Sequence, residues 1–336
     1  MMKDGVLNID KPAGWTSHDV VAKLRGVLRI KKVGHAGTLD PDATGVLLVC
    51  FGKGTKVVPF LMEGEKEYEA VLRLGEETDT EDATGTVLRR CEVSAEVLGQ
   101  VRETLESFVG TYEQIPPMYS AIKVKGVPLY RSARAGKSVE RTARPVTIRE
   151  IRFQKSEGRD ISFSVVCSKG TYIRTLCVDI GAKLGVGGHL LRLRRTRSGS
   201  FRIGEAVELN RFAALYAEGT WAKSAYTLND VLAAFPAISV REHYREKILH
   251  GAACGAEGIL KFDSFQKGES LRLLDPSGTL LAIGRAVASS EEVSGKERLF
   301  KIETVLSELS EESAALPALS RPAGGAAKES IESPLY

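Results

Sequence analysis

The stretch GHAGTLDPDATGVLLV, residues 34–49, decides how the chain is read. Its first twelve residues hold Gly34, Gly37, Pro41 and Gly45, which makes a shaped loop rather than a helix or strand. The apolar run that follows, 46–51, reads as a buried strand or a buried helix. Upstream, residues 5–10 read as a short strand. Lys11-Pro12-Ala13-Gly14 reads as a turn, because proline fixes φ and glycine permits reversal. Thr16 or Ser17 then caps a helix whose apolar positions, Val20, Val21, Leu24, Val27 and Leu28, recur at helical spacing.

Further on, apolar Tyr68, Ala70, Leu72 and Leu74 alternate with Glu69, Val71 and Arg73, as in a sheet with one buried face. Residues 95–109 read as an amphipathic helix, and 161–167 as a strand. After the turn Ser168-Lys169-Gly170, a helix follows with the stripe Ile173, Leu176, Cys177, Ile180 and Leu184. Helices and strands are interspersed, so the expected class is α+β. Near Pro236 the pattern changes to short strands broken by glycines, which suggests a small β-rich second domain over 236–306. The expected domains are thus 1–235 and 236–306. In the tail 307–336, Ala, Ser, Glu and Pro dominate, and the composition is that of a disordered segment.

At 336 residues, with 43% apolar and 27% charged residues, the chain is long enough for two domains with sizeable cores. No apolar run of membrane-spanning length is present, and the N-terminus lacks a secretory pattern. The five cysteines, Cys50, Cys91, Cys167, Cys177 and Cys254, are scattered and form no CxxC pair. They read as free thiols of a reducing cytoplasm, not as a disulfide framework or a zinc site. The formal net charge is +4, and the tail carries five acids against two bases, so the body is more basic than the whole. Bases cluster at Arg192, Arg194, Arg195 and Arg197, and again at Lys123, Lys125, Arg131, Arg134, Lys137, Arg141, Arg144 and Arg149. The second group lies in a turn-rich segment, 115–146, that reads as an extended arm. Such clusters suit a polyanion partner, or simply a solvated basic face.

Two constellations hold the candidate chemistry. No GKS/T or GxGxxG motif follows the glycines, so nucleotide-binding readings are weak. What the loop presents is one carboxylate, Asp40, between Leu39 and Pro41. It is either a nucleophile or the cap of a turn. In KGTYIR, residues 169–174, Arg174 falls in the first turn of a helix, where the macrodipole favours an anion. A carboxylate docked there satisfies both. Pairing would depress the pKa of Asp40 and hold it ionised. Tyr172 is suited to lining a base pocket, or to ordinary core packing. A two-carboxylate glycosidase reading is weaker, since no second acid near the loop or Arg174 demands the role.

Six ordered motifs are similar to those of the TruB family of pseudouridine synthases. They are VLNIDKPAGWTS (6–17), the loop 34–49, KEYEAVLRLG (66–75), QIPPMYSAIKVKGVPLY (114–130), CSKGTYIRTLCVDIG (167–181) and LRLRRTRSGSF (191–201). Residues 236–305 resemble a PUA RNA-binding domain. The resemblance implies a pseudouridine synthase fold, with a central mixed, mainly antiparallel sheet flanked by helices. It implies isomerisation of uridine 55 in the TΨC loop of tRNA, in the cytoplasm, by a monomer without cofactor, metal or guide RNA. By the same resemblance Asp40 is the nucleophile, Arg174 its partner, and Tyr68 the tyrosine that stacks on the flipped base and, if its pKa is lowered, relays the C5 proton. Tyr172 and Leu193 form the pocket wall. His35 fills the space left by extruded bases, and Lys11 supports the site. The bases of the arm and of 192–197 are expected to contact phosphates. A non-catalytic tRNA-binding or tRNA-folding module is the alternative.

Overall fold

Which side chains turn inward along each segment dictates the architecture. The computed structural model describes residues 2–120, 122–124, 126–129, 139–294 and 296–307. The centre of the predicted arm and the tail beyond residue 307 lie outside them. The chain divides into two compact units, Met1–Ala234 and Phe235–Tyr336.

The first unit runs β1 (Gly5–Lys11), α1 (Ser17–Leu28), β2 (Val33–His35), β3 (Thr44–Phe51) and β4 (Lys66–Leu74). It continues through α2 (Ala95–Glu106), β5 (Gly110–Gln114), β6 (Arg144–Glu157), β7 (Asp160–Cys167) and α3 (Ile173–Lys183). It ends with β8 (Gly188–Ser198), β9 (Phe201–Arg202), β10 (Val207–Glu208), α4 (Leu209–Ala217) and β11 (Ala225–Tyr226). The eleven strands form one sheet with the path β10-β1-β3-β8-β4-β7-β6-β5. Strand β9 pairs with β8, β11 with β1, and β2 with β3. Pairing is antiparallel except for β1 with β10 and β3 with β8.

Residues 46–51, which read as strand or helix, are strand β3, buried along almost its whole length. Neighbours on both edges and packing on both faces explain the run without alternation. In β4 the inward set Tyr68, Ala70, Leu72 and Leu74 meets Ile161, Phe163 and Val165 of β7 in one core. Onto that core α3 lays Ile173, Leu176, Cys177 and Ile180, and α2 lays Val101 and Leu105. A second core joins Leu7, Ile9 and Phe51 to Val20, Val21 and Leu24 of α1 and to Phe212 of α4. Each fully buried side chain of this size contributes about 1.5–3 kcal/mol. The helix predicted over 95–109 ends at Glu106. Residues 107–109 turn away from it into Gly110, whose φ of +117° no helix continues.

Helix α1 starts where its sequence signal lies. The Thr16 hydroxyl accepts from Asp19 N–H, and the Asp19 carboxylate accepts from Thr16 N–H, a reciprocal cap. The second unit is a five-stranded sheet. In chain order its strands are β12 (Ala237–Val240), β13 (Ile259–Phe262), β14 (Ser270–Leu274), β15 (Leu280–Ala286) and β16 (Phe300–Val305). They lie in the order β13-β12-β14-β15-β16 around Ile238, Val240, Phe265, Leu271, Leu273 and Phe300. Among the described residues no helix is long and apolar enough to cross a membrane.

Candidate active site

The loop between β2 and β3 is held from three sides. From α1, Ser17 Oγ accepts from Leu39 N–H (2.9 Å) and donates to Leu39 O (3.1 Å). From the first turn, Gly14 N–H donates to Pro41 O (3.0 Å). From β1, Lys11 Nζ donates to Pro41 O (2.8 Å), Pro12 O (2.9 Å) and Trp15 O. Lys11 is fully buried and all three of its N–H groups are spent on carbonyls, so it braces the loop and cannot also hold substrate. Burial lowers its pKa to about 8, against the pull of Asp42 and Asp40.

Beneath the loop lies Arg195, only 2% exposed. Its Nε donates to Val46 O (2.7 Å), its Nη2 to Gly37 O (3.0 Å) and its Nη1 to Thr38 O (3.4 Å). The approach is so close that a Cβ on Gly45 would lie 2.2 Å from Arg195 O, and Gly45 has a φ of +101° besides. Arg195 is therefore structural, which corrects its expected role as a phosphate contact. Arg194 pairs with Asp10 (2.8 Å) and Arg197 with Glu67 (3.1 Å). Of that run, Arg192 is the exposed member. In the second cluster, Arg144 and Arg149 belong to β6, and Arg149 pairs with Glu65. Arg144 and Arg149 stay exposed, and Lys125, Arg131, Arg134 and Lys137 lie outside the described residues. The first cluster reads as open cationic surface because the sequence does not show which carboxylates and carbonyls the fold brings to each guanidinium.

Arg174 is the second residue of α3, after Tyr172 at the N-cap position. Its Nε lies 3.0 Å from Asp40 Oδ2, and its Nη2 is 3.3 Å from Oδ1. It donates further to Tyr119 O (2.9 Å) and Thr80 O (3.3 Å), with Asp82 Oδ2 3.9 Å from Nη1. The guanidinium is 5% exposed, the Asp40 side chain 41%. This is a paired carboxylate still open to an incoming molecule. A second acid, Asp82, also lies beside Arg174. Asp82 sits in a loop whose local hydrogen bonds, from Thr80 Oγ1 and Thr84 N–H, fix it there.

One pKa expectation is reversed, and the condition placed on Tyr68 is not met. The carboxyl of Asp40 is raised, not depressed. Desolvation is the largest influence, Arg174 opposes it, and Asp82 adds to it. Tyr68, 8% exposed on β4 opposite Arg195, has its phenol raised by burial, with Arg195 opposing. Its phenolate is thus disfavoured. Tyr68, Leu39 and Ala43 share one core cluster, with Leu193 packed against it. Half-buried Tyr172 feels the charges of Arg174 and Asp40. His35 ends strand β2 rather than lying in the open loop. It makes an edge contact with His18 at 5.5 Å, and burial lowers its pKa to about 4. Its Nδ1 has no hydrogen-bond partner among the described residues. No group of side chains suited to a metal occurs among them either.

Known proteins that this chain resembles give its class, that of the pseudouridylate synthases. Residues 25–173 match the model of the TruB family pseudouridylate synthase N-terminal domain. Residues 174–239 match the tRNA pseudouridylate synthase B C-terminal domain, and 236–305 the PUA domain. The chain belongs to the TruB family. It is 40% identical over 299 residues to the tRNA pseudouridine synthase B of Syntrophotalea carbinolica, covering 89% of this chain and 97% of that one. It is 52% identical over 212 residues to that of Alkaliphilus oremlandii, covering 63% and 71%. Among solved structures, a Cbf5-Nop10-Gar1 complex matches with a TM-score of 0.72 at 30% identity, over 90% of this chain and 84% of the other.

Proposed function

We propose that this protein isomerises uridine 55 in the TΨC loop of tRNA to pseudouridine, with Asp40 as nucleophile. The contact between Asp40 and Arg174, buried on the arginine side and open on the aspartate side, carries this reading. Pseudouridine formation breaks the N1–C1′ bond, turns the uracil and rejoins it through C5, with no net redox change and no group gained. It therefore requires no cofactor. What it requires is an aimed carboxylate, for attack at C1′ or C6, and a pocket that holds a loose base.

The residues around Asp40 are suited to that pocket. Tyr68 offers a ring for stacking, Tyr172 and Leu193 a wall, and His35 a neutral imidazole beside the loop. The raised phenol of Tyr68 favours stacking over service as a standing base. Relatives named for tRNA, at 40–52% identity, support a tRNA substrate, and the motif resemblance favours one taken without a guide RNA. The PUA unit and the basic arm would extend the footprint on tRNA, and a single asymmetric RNA suits a monomer. Cytoplasmic work on tRNA fits the free thiols.

Asp40→Asn tests the assignment. The variant should bind tRNA within a few-fold of the wild type and form no pseudouridine at that position. Product at the normal rate would remove Asp40 from the mechanism, and a wild type that binds tRNA without turnover would leave the non-catalytic alternative.

A further inference from the structure

Gln114 opens the QIPP motif, and nothing in the reaction described above uses it. It stands at the end of β5, 2% exposed. Its amide engages the backbone of one residue twice. Tyr172 N–H donates to Gln114 Oε1 (2.8 Å), and Gln114 Nε2 donates to Tyr172 O (3.0 Å). A backbone N–H only donates and a carbonyl only accepts, so these two bonds settle which end of the amide is which. The second hydrogen on Nε2 then goes to the Tyr112 hydroxyl oxygen (2.6 Å). That hydroxyl, already accepting, keeps its own proton for the side of Asp179 on α3, and the phenol and that carboxyl influence each other's titration. Gln114 thus ties β5 to the N-cap of α3, with Tyr112 and Asp179 behind it.

Tyr172 precedes the helix that aims Arg174, and α3 has no side-chain cap at its N-terminus. The Gln114 amide instead holds both backbone groups of the N-cap residue itself. We propose that Gln114 is a positioning residue for the reaction: held by Tyr112 and Asp179, its amide fixes the Tyr172 backbone and so sets the aim of the Tyr172 ring and of Arg174 at Asp40. This rests on the function proposed above and adds a specific residue to it.

Gln114→Glu separates positioning from mere packing. When the introduced acid is ionised, it faces the Tyr172 carbonyl with no hydrogen to give. When it is neutral, its C=O and O–H reproduce the original pair of bonds. The charged or titratable groups around it are Tyr112 on β5, Arg144 opposite on β6, and Tyr172, Arg174 and Asp179 on α3 and its cap, with Asp40 beyond. Burial beside Tyr112 and a carbonyl favours the neutral acid, so function should return as pH falls. We expect kcat for pseudouridine formation about 10- to 100-fold below wild type near pH 8.5, with KM within a few-fold. The gap should narrow to roughly threefold near pH 6.5, and the variant's melting temperature should recover toward wild type over the same fall in pH, because an acid with a raised folded pKa destabilises the fold as it ionises. Equal kcat for the variant and an active wild type at both pH values overturns the proposal, as does a deficit that ignores pH while KM rises in step. If Gln114→Glu does not fold, Tyr112→Phe decides: lowered kcat at unchanged KM supports the network, and wild-type kcat refutes it. A wild type without turnover overturns this proposal together with the function on which it rests.

Discussion

Replacing Arg174 with methionine keeps bulk in a slot that is 5% exposed and removes the charge facing Asp40. Two charges about 4 Å apart interact by about 4 kcal/mol at the effective dielectric near 20 that suits protein sites. Asp40 is 41% exposed, so water screens part of this, and we take about 1.5–3 kcal/mol. That corresponds to a rise of about one to two pKa units. The sign follows from the site. Burial already pushes the Asp40 carboxyl up, and Arg174 is the largest influence holding it down. Without the guanidinium the carboxylate form is lost at higher pH, so the acid limb of the rate profile moves to more alkaline pH by that amount. Aim is lost as well, because Arg174 also spans Tyr119 O and Thr80 O, and turnover near pH 7 should fall on the order of 100-fold. Single-turnover pseudouridine formation measured from roughly pH 6 to 9, beside tRNA retention on filters, reads both quantities. Affinity should stay within a few-fold. An unmoved acid limb, with affinity falling as far as turnover, would show that Arg174 holds RNA phosphate instead of Asp40.

Two further perturbations test the loop itself. His35 has a folded pKa of about 4 against an ordinary value of 6.5, so between these the unfolded chain binds the extra proton and stability falls as pH falls. The penalty reaches about 3 kcal/mol at the lower end. His35→Gln should therefore lose less melting temperature than the wild type on acidification from 6.5 to 4, and parallel curves would contradict the burial argument. Gly45→Ala puts a methyl 2.2 Å from Arg195 O at a φ of +101°, and neither backbone can yield without breaking the β3–β8 pairing. A loss of about 3 kcal/mol or more is expected, read as a drop of roughly 6–12 °C in thermal unfolding. A variant as stable as the wild type would mean that the two strands are not so close.

Much of this was legible because it is local. Alternation along Tyr68, Ala70, Leu72 and Leu74 and a helix cap at Thr16 or Ser17 are written in adjacent residues, and the structure shows the alternation in place and the cap at Thr16. The encounter of Asp40 with Arg174 came from the macrodipole argument together with the motif resemblance. What escaped is non-local and electrostatic. The pKa of Asp40 depends on how many groups share its space, and Asp82 arrives from a loop 42 positions downstream. Arg195 lies in a strand with register shifts on both sides of residues 192–195. Bulges break the two-residue period that would have shown which arginine turns inward. Gln114 carried a motif signal but no chemical one, since an amide declares its partners only once its neighbours are placed.

Lys11, Arg174 and Arg195 are long cations that the fold takes almost wholly out of water, around a single loop. Burying cations costs several kcal/mol each unless their hydrogens are satisfied, and here carbonyls satisfy most of them. Gly37 O and Thr38 O go to Arg195, Pro41 O to Lys11, and Leu39 closes on Ser17 through both its N–H and its carbonyl. Asp40 O accepts from Ala43 N–H. The backbone between residues 37 and 41 is thereby largely consumed. The strong acceptor left facing outward is the Asp40 carboxylate, with one guanidinium at its back. A loop whose carbonyls were free would offer an incoming uridine several competing acceptors and a softer hold on its one nucleophile. The buried cations thus limit the acceptors facing substrate as well as holding the loop's shape.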